Sequence, residues 1–466
     1  HVNSEGGSGG DYIYHGNGYI YPGAHGPYSA LGAGDVVGIA VDATAGSVAI
    51  YLNNSLKYTF TGLTTGNIFP YLTSTGGGTS VITVNFGQRP FKYTAPTDYK
   101  CLCTQNLPDL FGANNNSAGD KNNPSKYFEV KTYTGTGADL DIKGLNFKPD
   151  LVWMKPRSVA NDHVLVDAAR GVTERIFANI DNAESAAAES LKTFNSDGFT
   201  LGDHSSVNTG NVTHVAWAWD AGSAAATPST AGNITISNQW VNATAGFSMS
   251  KYTMGADGGT FGHALTADGS GVKPDWIVVK RLNSAASWCS WHKGIPNTKY
   301  MMLDKNDAAS TWNVWGDTDA TTTLVTVSGD SYTGNNGDTY IAYCWVAKPG
   351  YSAFGSYTGT GGNTSSVDQF IYTGFTPRFL IIKCATAGTT QWMLVDSERD
   401  KTNPNTIMSW ADASDPEENH VNNELNIFSN GFELSSNTYQ NYSNTNGETF
   451  IYAAFASHPL KTARAQ

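Results

Sequence analysis

Apolar positions along this chain fall into short runs, and the runs recur. Three stretches repeat one another over domain lengths: residues 133–219, 252–345 and 357–455. Each opens on a Tyr-Thr pair, as Tyr133-Thr-Gly-Thr-Gly137, Tyr252-Thr-Met-Gly255 and Tyr357-Thr-Gly-Thr-Gly361. A proline then precedes an apolar run ending in lysine: Pro149 to Lys155, Pro274 to Lys280 and Pro377 to Lys383. Each stretch closes on an aromatic and alanine strand, 214–219, 340–345 and 450–455. In these closing strands Val215, Trp217 and Trp219 share one side. Ile341, Tyr343 and Trp345 match them, as do Ile451, Ala453 and Phe455, while the opposite side is small. Two apolar faces, one of them small, predict the central strand of a β-sandwich. The period is far longer than a solenoid unit, so these are tandem domains.

Residues 34–107 read as strands at short spacing. Asp35-Val-Val-Gly-Ile-Ala-Val-Asp42 is one strand, Ala45-Gly46 a turn, residues 47–52 the return, and Asn53-Asn54 a second turn. Runs at 68–72 and 81–86 continue the sheet, while few strands precede residue 30. Half of this sandwich is therefore expected upstream. Residues 184–191 are the one convincing helical stretch. Runs of Asn, Gly, Ser and Ala mark linkers at 108–130 and 222–235. The expected division is an N-terminal domain over 1–107, then sandwiches over 131–221, 236–348 and 349–466. The expected fold class is all-β, tandem β-sandwich domains.

Composition narrows the functional classes. The 466 residues include 50 glycines, only 15% are charged, and 12% are aromatic. A net charge of −12 argues against a nucleic-acid partner, which needs clustered Lys and Arg. No apolar run reaches the length of a membrane span. The five cysteines (Cys101, Cys103, Cys289, Cys344, Cys384) are odd in number and scattered, so no disulfide framework is read and folding in a reducing cytoplasm is expected. The chain starts at His1 without a signal peptide and is expected to be a fragment or a processed product.

Gly34-Asp-Val-Val-Gly-Ile-Ala-Val-Asp42, Ile50-Tyr-Leu-Asn-Asn54, Phe69-Pro70 and Val84-Asn-Phe-Gly87 resemble the C-terminal half of a SPRY domain, a bent sandwich used for recognition. Adding the Gly-Phe-x-Pro strand, the Asp167-Ala-Ala-Arg-Gly171 turn and the Phe194-Asn-Ser-Asp-Gly-Phe-Thr-Leu201 hairpin, nearly the whole chain resembles tail-fibre and related virion proteins of tailed bacteriophages. The resemblance implies a structural or adhesive virion protein, not an enzyme, assembled in the bacterial cytoplasm. It implies a homo-oligomer, most readily a trimer, bound to other tail or capsid proteins and to a host surface glycan. A polysaccharide-degrading tailspike and a decoration protein without receptor contact are the alternatives.

Candidate sites are few. Asp167 with Arg170, and Asp396 with Arg399, stand three apart at equivalent places; the second repeat has His292 where the acid should be and no arginine after it. A device lost from one copy reads as structural, a turn-pinning salt bridge worth about 0–1 kcal/mol if exposed. Asp412, Asp415, Glu417 and Glu418 read as a solvated loop before they read as a glycosidase pair or a calcium site. No histidine or cysteine spacing marks a metal, no Gly-x-Ser-x-Gly elbow stands between a strand and a helix, and no cofactor is expected. The aromatic set of the second repeat is the binding candidate. Trp312, Trp315, Trp291 and His292 are placed to stack on sugar rings, while Trp288 aligns with Trp392 and reads as core.

Overall fold

A computed structural model describes residues 13–14, 19–21, 25–42, 45–62, 83–86, 91–97, 99–101, 123–225, 227–267, 269–361, 368–420, 425–434 and 442–456. Strands dominate, and the chain is all-β. It divides into two compact units, residues 1–107 and 108–466. No helix among the described residues is long and apolar enough to cross a membrane.

In the first unit Val37–Asp42, Ser47–Leu52 and Ser55–Thr61 form an antiparallel meander. Asn53 and Asn54 both take positive φ, 50° and 66°, which suits a tight turn between twisted strands. Val48, Ile50 and Phe60 bury one face together with Ile20. The strand expected over 81–86 is not seen where it can be read, since residues 83–86 are in no strand. Phe69, Pro70, Gly87 and Cys103 lie outside the described residues.

The second unit holds the three repeats, and they share one strand order. In the first, the main sheet runs Ser185–Ala186, Glu174–Phe177, Val164–Asp167, Leu151–Pro156, Thr213–Trp219, Phe128–Thr134. The second runs Ser310–Thr311, Lys299–Met302, Cys289–His292, Trp276–Arg281, Thr339–Trp345, Phe247–Thr253, extended by Ile236–Asn242 and Ser223–Ala224. The third runs Glu418–Asn419, Ile407–Trp410, Met393–Asp396, Phe379–Cys384, Thr449–Phe455, Ser352–Thr358. The closing strand is central in each, paired to the proline strand and the opening strand. Strand structure thus reaches into both expected linkers, at Phe128 and at Ser223–Ala224.

The Tyr-Thr starts have a shared cause. Tyr133, Tyr252 and Tyr357 each donate their hydroxyl to a carbonyl ahead of the closing strand, those of Val207, Thr333 and Ser443. A Cβ on Gly135 or Gly359 would sit 2.1 Å from the Thr209 or Thr445 carbonyl, so only glycine fits there.

The helix expected over 184–191 does not form. Ser185–Ala186 pairs as an edge strand with Arg175 and Glu174, and the Glu184 amide donates to the Leu282 carbonyl of the next repeat. Tertiary pairing overrides the local Ala and Glu propensity. The short helix in the first repeat is Ser205–Asn208 instead.

Each main sheet has two apolar faces. In the first repeat Val152, Met154, Ala216 and Ala218 pack outward on a small sheet carrying Ile142, Phe199 and Leu201. Leu151, Trp153, Trp217 and Trp219 face inward and join one core with Trp276, Val278, Tyr343 and Trp345 of the second repeat and Phe379, Ile381 and Phe455 of the third. The three sandwiches therefore stand around a common centre and are not strung in a line.

Candidate functional site

The joints between sandwiches place most of the residues singled out above. One set of bonds runs from repeat to repeat and returns to its start. Lys280 Nζ donates to the Asp181 carbonyl of the first repeat, Lys383 Nζ to Asn306 of the second, and Lys155 Nζ to Ser414 of the third, at 3.0–3.2 Å. Backbone bonds follow the same circuit: Ala286 to Asp181, Thr390 to Asn306, and Asn161 to Ser414. Trp288 donates its indole N–H to the Phe177 carbonyl and Trp392 to that of Met302. His163 stands at the third equivalent place, facing the Trp410 and Ala413 backbone. Three sandwiches in one chain thus close a ring with approximate threefold symmetry. The lysines ending the proline strands are fully buried, and burial pulls each down to about 8.

Toward the ring's centre lie the acid–arginine pairs. Asp167 and Arg170 side chains are wholly buried with Nε to Oδ2 at 2.5 Å, and Asp396 and Arg399 repeat that geometry. The exposed-pair expectation of 0–1 kcal/mol does not apply to them, because a buried pair broken on one side costs about 3–5 kcal/mol. Each carboxylate also accepts a bond from the next sandwich, Asp167 from the Tyr343 hydroxyl at 2.6 Å and Asp396 from the Trp217 indole at 3.1 Å. Register puts His292 opposite Trp276 as Asp167 stands opposite Leu151 and Asp396 opposite Phe379. At the equivalent joint the position matching Trp217 and Tyr343 is Ala453, which has no side-chain donor. His292 Nε2 pairs instead with the Tyr452 carbonyl at 3.1 Å. His292 is 1% exposed, and burial pulls its imidazole down to about 3. It is part of the joint and unavailable to stack on a sugar.

The acidic loop is also a joint. Glu417 holds Arg157 through two bonds of 2.8 Å, and Asp412 accepts from the Trp392 amide, with burial raising its carboxyl to about 6. Asp412 and Glu417 thus leave the solvated loop the sequence predicted, while Asp415 and Glu418 are exposed as expected. Among the described residues no group of three His, Cys, Asp or Glu is placed to hold a metal.

The tryptophan loop faces the other way. Gly316 and Asp317 both take positive φ, 64° and 47°, and turn the chain so that the Thr318 amide bonds the Trp315 carbonyl. Asn297 Nδ2 donates to the Asp317 carbonyl, and Val314 is buried as the loop's anchor. The loop then splits its aromatics. Trp312 is 64% exposed, whereas Trp315 is 3% and Trp291 5% exposed. A ring must present a face to stack, so Trp315 and Trp291 drop out as stacking platforms and Trp312 remains. Trp291 and Trp315 instead line one small cavity with Ile277, Asn297, Thr318, Ala320, Val325 and Thr326. Lys273 Nζ lies 5.3 Å over the Trp291 ring and is held by Asp319 at 2.8 Å.

One family model matches residues 123–459, more than two thirds of the chain, and is described as a domain of unknown function, DUF7483. The chain belongs to the DUF7483 family. The DUF7483 match starts just before the opening strand of the first sandwich and ends just after the closing strand of the third. The family unit is therefore the whole ring. No curated protein and no solved structure matches the chain. The ring itself went unread in the sequence, although the three buried lysines and the aligned Trp288 and Trp392 were its signal.

Proposed function

We propose that the chain is a non-catalytic protein of a tailed-phage virion, a tail fibre or related surface appendage that contacts a host glycan. The observation that carries this reading is the closed ring. The buried lysines Lys155, Lys280 and Lys383 and the buried pairs Asp167–Arg170 and Asp396–Arg399 are used in the joints, which leaves a rigid body presenting loops outward. Binding function on loops held by a rigid scaffold is the common arrangement. Trp312 is then the stacking residue, since its ring is exposed and Asn313 and Asp317 flank it. The ring also provides within one chain the threefold arrangement that a homotrimer was expected to provide. We therefore propose that one chain occupies each such position on the virion, held by other tail or capsid proteins.

The experiment is gold labelling of intact particles with antibody to this chain, together with competition of adsorption by the purified protein. Label on the tail and blocked adsorption are expected. Label on the head with normal adsorption replaces this reading with a decoration protein, which the threefold ring also suits. Loss of polymer viscosity caused by the purified protein replaces it with a tailspike enzyme.

A further inference from the structure

Arg175 is the one arginine among the described residues with no carboxylate partner. Arg157, Arg170, Arg281, Arg378 and Arg399 each hold an acid within 3.1 Å. Strand register sets Arg175 opposite Ser185, Tyr300 opposite Ser310 and Met408 opposite Glu418. The sister sandwiches thus fold with Tyr or Met at this place, and the arginine is not part of the shared scaffold. Its fork reaches only polar groups. Nε donates to Ser185 Oγ at 3.1 Å, and Nη1 lies 2.8 Å from His204 Nε2 and 3.3 Å from Ser206 Oγ. These contacts cannot all be satisfied. The Ser206 amide can only donate, and it gives its proton to His204 Nδ1 at 3.1 Å. The neutral ring therefore carries its own proton on Nε2. That N–H faces the Nη1–H of Arg175, donor against donor. The other tautomer sets Nδ1–H against the amide instead, and an imidazolium opposes both. An acceptor seated between Arg175 and Nε2 removes the conflict and leaves His204 capping the helix Ser205–Asn208.

We propose that Arg175, His204 and Ser185 form a binding site for a carboxylate. Nη1 and Nη2 of the guanidinium, Nε2–H of the imidazole and the Ser185 hydroxyl supply donors for its two oxygens. Arg175 Nη2 makes no bond to the described residues and is not among the buried unpaired atoms, so it is open to a ligand. A planar guanidinium matches a planar carboxylate through two parallel bonds. The acids close by are already held: Glu184, next to Ser185, by Arg170, and Glu189, whose carbonyl takes the His204 amide, by Lys192. The charge count selects a monoanion. The cluster offers one permanent positive charge, and the exposed Asp203 acts on His204, so a phosphate dianion is disfavoured. The net charge of −12 does not prevent this, since exposed charges more than about 8 Å apart are screened at physiological salt. That the carboxylate belongs to an acidic sugar rests on the attachment reading above; the carboxylate itself rests on the cluster alone.

The test is a titration of the full chain with sodium D-glucuronate, sodium acetate, D-glucose and sodium phosphate, followed by magnetic resonance of the histidine rings. The His204 signal is assigned by its loss in His204→Asn, which keeps a side chain able to cap the helix. Glucuronate is expected to move that signal saturably and glucose is not. Burial and Arg175 hold the free imidazole below its ordinary 6.5. A carboxylate seated against Nε2–H should raise it, a readout that a merely structural contact would not give. Arg175→Met, which installs the residue of the third sandwich, is expected to weaken glucuronate binding tenfold or more with the melting temperature unchanged; loss of a charged hydrogen bond is worth about that much. Should this variant fail to fold, the wild-type titration still decides. A His204 signal unmoved by glucuronate and acetate overturns the proposal, and so does phosphate binding more tightly than either. Acetate binding as well as glucuronate supports the carboxylate site and removes the sugar. Glucuronate binding that leaves adsorption unblocked supports the site and removes the attachment reading.

Discussion

Asp167 and His292 occupy the same place in successive sandwiches, and each is matched by what faces it. The acid has Arg170 three residues on and the Tyr343 hydroxyl across the joint, whereas His292 has Ile295 three residues on and the Tyr452 carbonyl across the joint. Burial opposes the charge of Arg170, but Asp167, Tyr343 and Glu184 hold its guanidinium above the ordinary value. Replacing Asp167 with Asn leaves that cation buried beside a neutral amide. A loss of about 3–5 kcal/mol in denaturant unfolding is expected, and a loss under about 1 kcal/mol would contradict the burial. His292→Asp should cost a similar amount, because it buries a carboxylate with no arginine three residues on and leaves Lys293 held by Asp275. The buried imidazoles offer a second check. Burial lowers His214 and His263 to about 4 and His292 to about 3, from an ordinary 6.5. Between those values and 6.5 the unfolded chain binds protons that the folded chain refuses. Their contribution to stability is therefore full above pH 6.5 and is lost as pH falls toward 4. Ring resonances of these three histidines that titrate near 6.5 in the folded chain would contradict the structure.

At the scale of single elements, much was legible and the failures have physical causes. The closing strands read correctly as central because they are apolar on both faces, and only a doubly covered strand needs that. The proline strands read only as apolar runs, and the structure places each beside the closing strand. Residues 184–191 misled because Ala, Glu and Leu favour helix locally, while the bonds that decide them come from Glu174, Arg175 and Leu282. The tryptophan loop was half legible. Spacing three apart removes Trp312 and Trp315 from strand alternation, but it does not say which ring goes inside. The structure gives opposite predictions for the two. Trp312→Ala should leave the melting temperature unchanged and reduce adsorption. Trp315→Ala should cost about 3–5 kcal/mol through the cavity it opens, measured by denaturant unfolding. Equal effects of the two changes on stability would show the loop to be seated otherwise.

Across the whole molecule the consequence of the joints is cooperativity. Tandem domains on linkers melt separately, whereas sandwiches that share one core and exchange buried polar bonds should unfold as a unit. Lys280→Met removes the donor to the Asp181 and Ala286 carbonyls, leaving Asp181 only the Ala286 amide. It should lower the stability of all three sandwiches together, by about 1–3 kcal/mol, seen as one transition in amide exchange. Protection lost only around residues 181 and 280 would mean independent domains. The sequence displayed the three repeats plainly but not their closure. Pairwise joints are written in residues such as Lys155 and Ser414, which lie far apart in the chain and carry no local pattern. Closure is also where a string and a ring differ most, since it brings the first sandwich against the third. Small-angle scattering on residues 108–466 tests it most directly. The ring predicts a compact body with a radius of gyration of about 21 Å, while three sandwiches in line would give roughly 30 Å and contradict it.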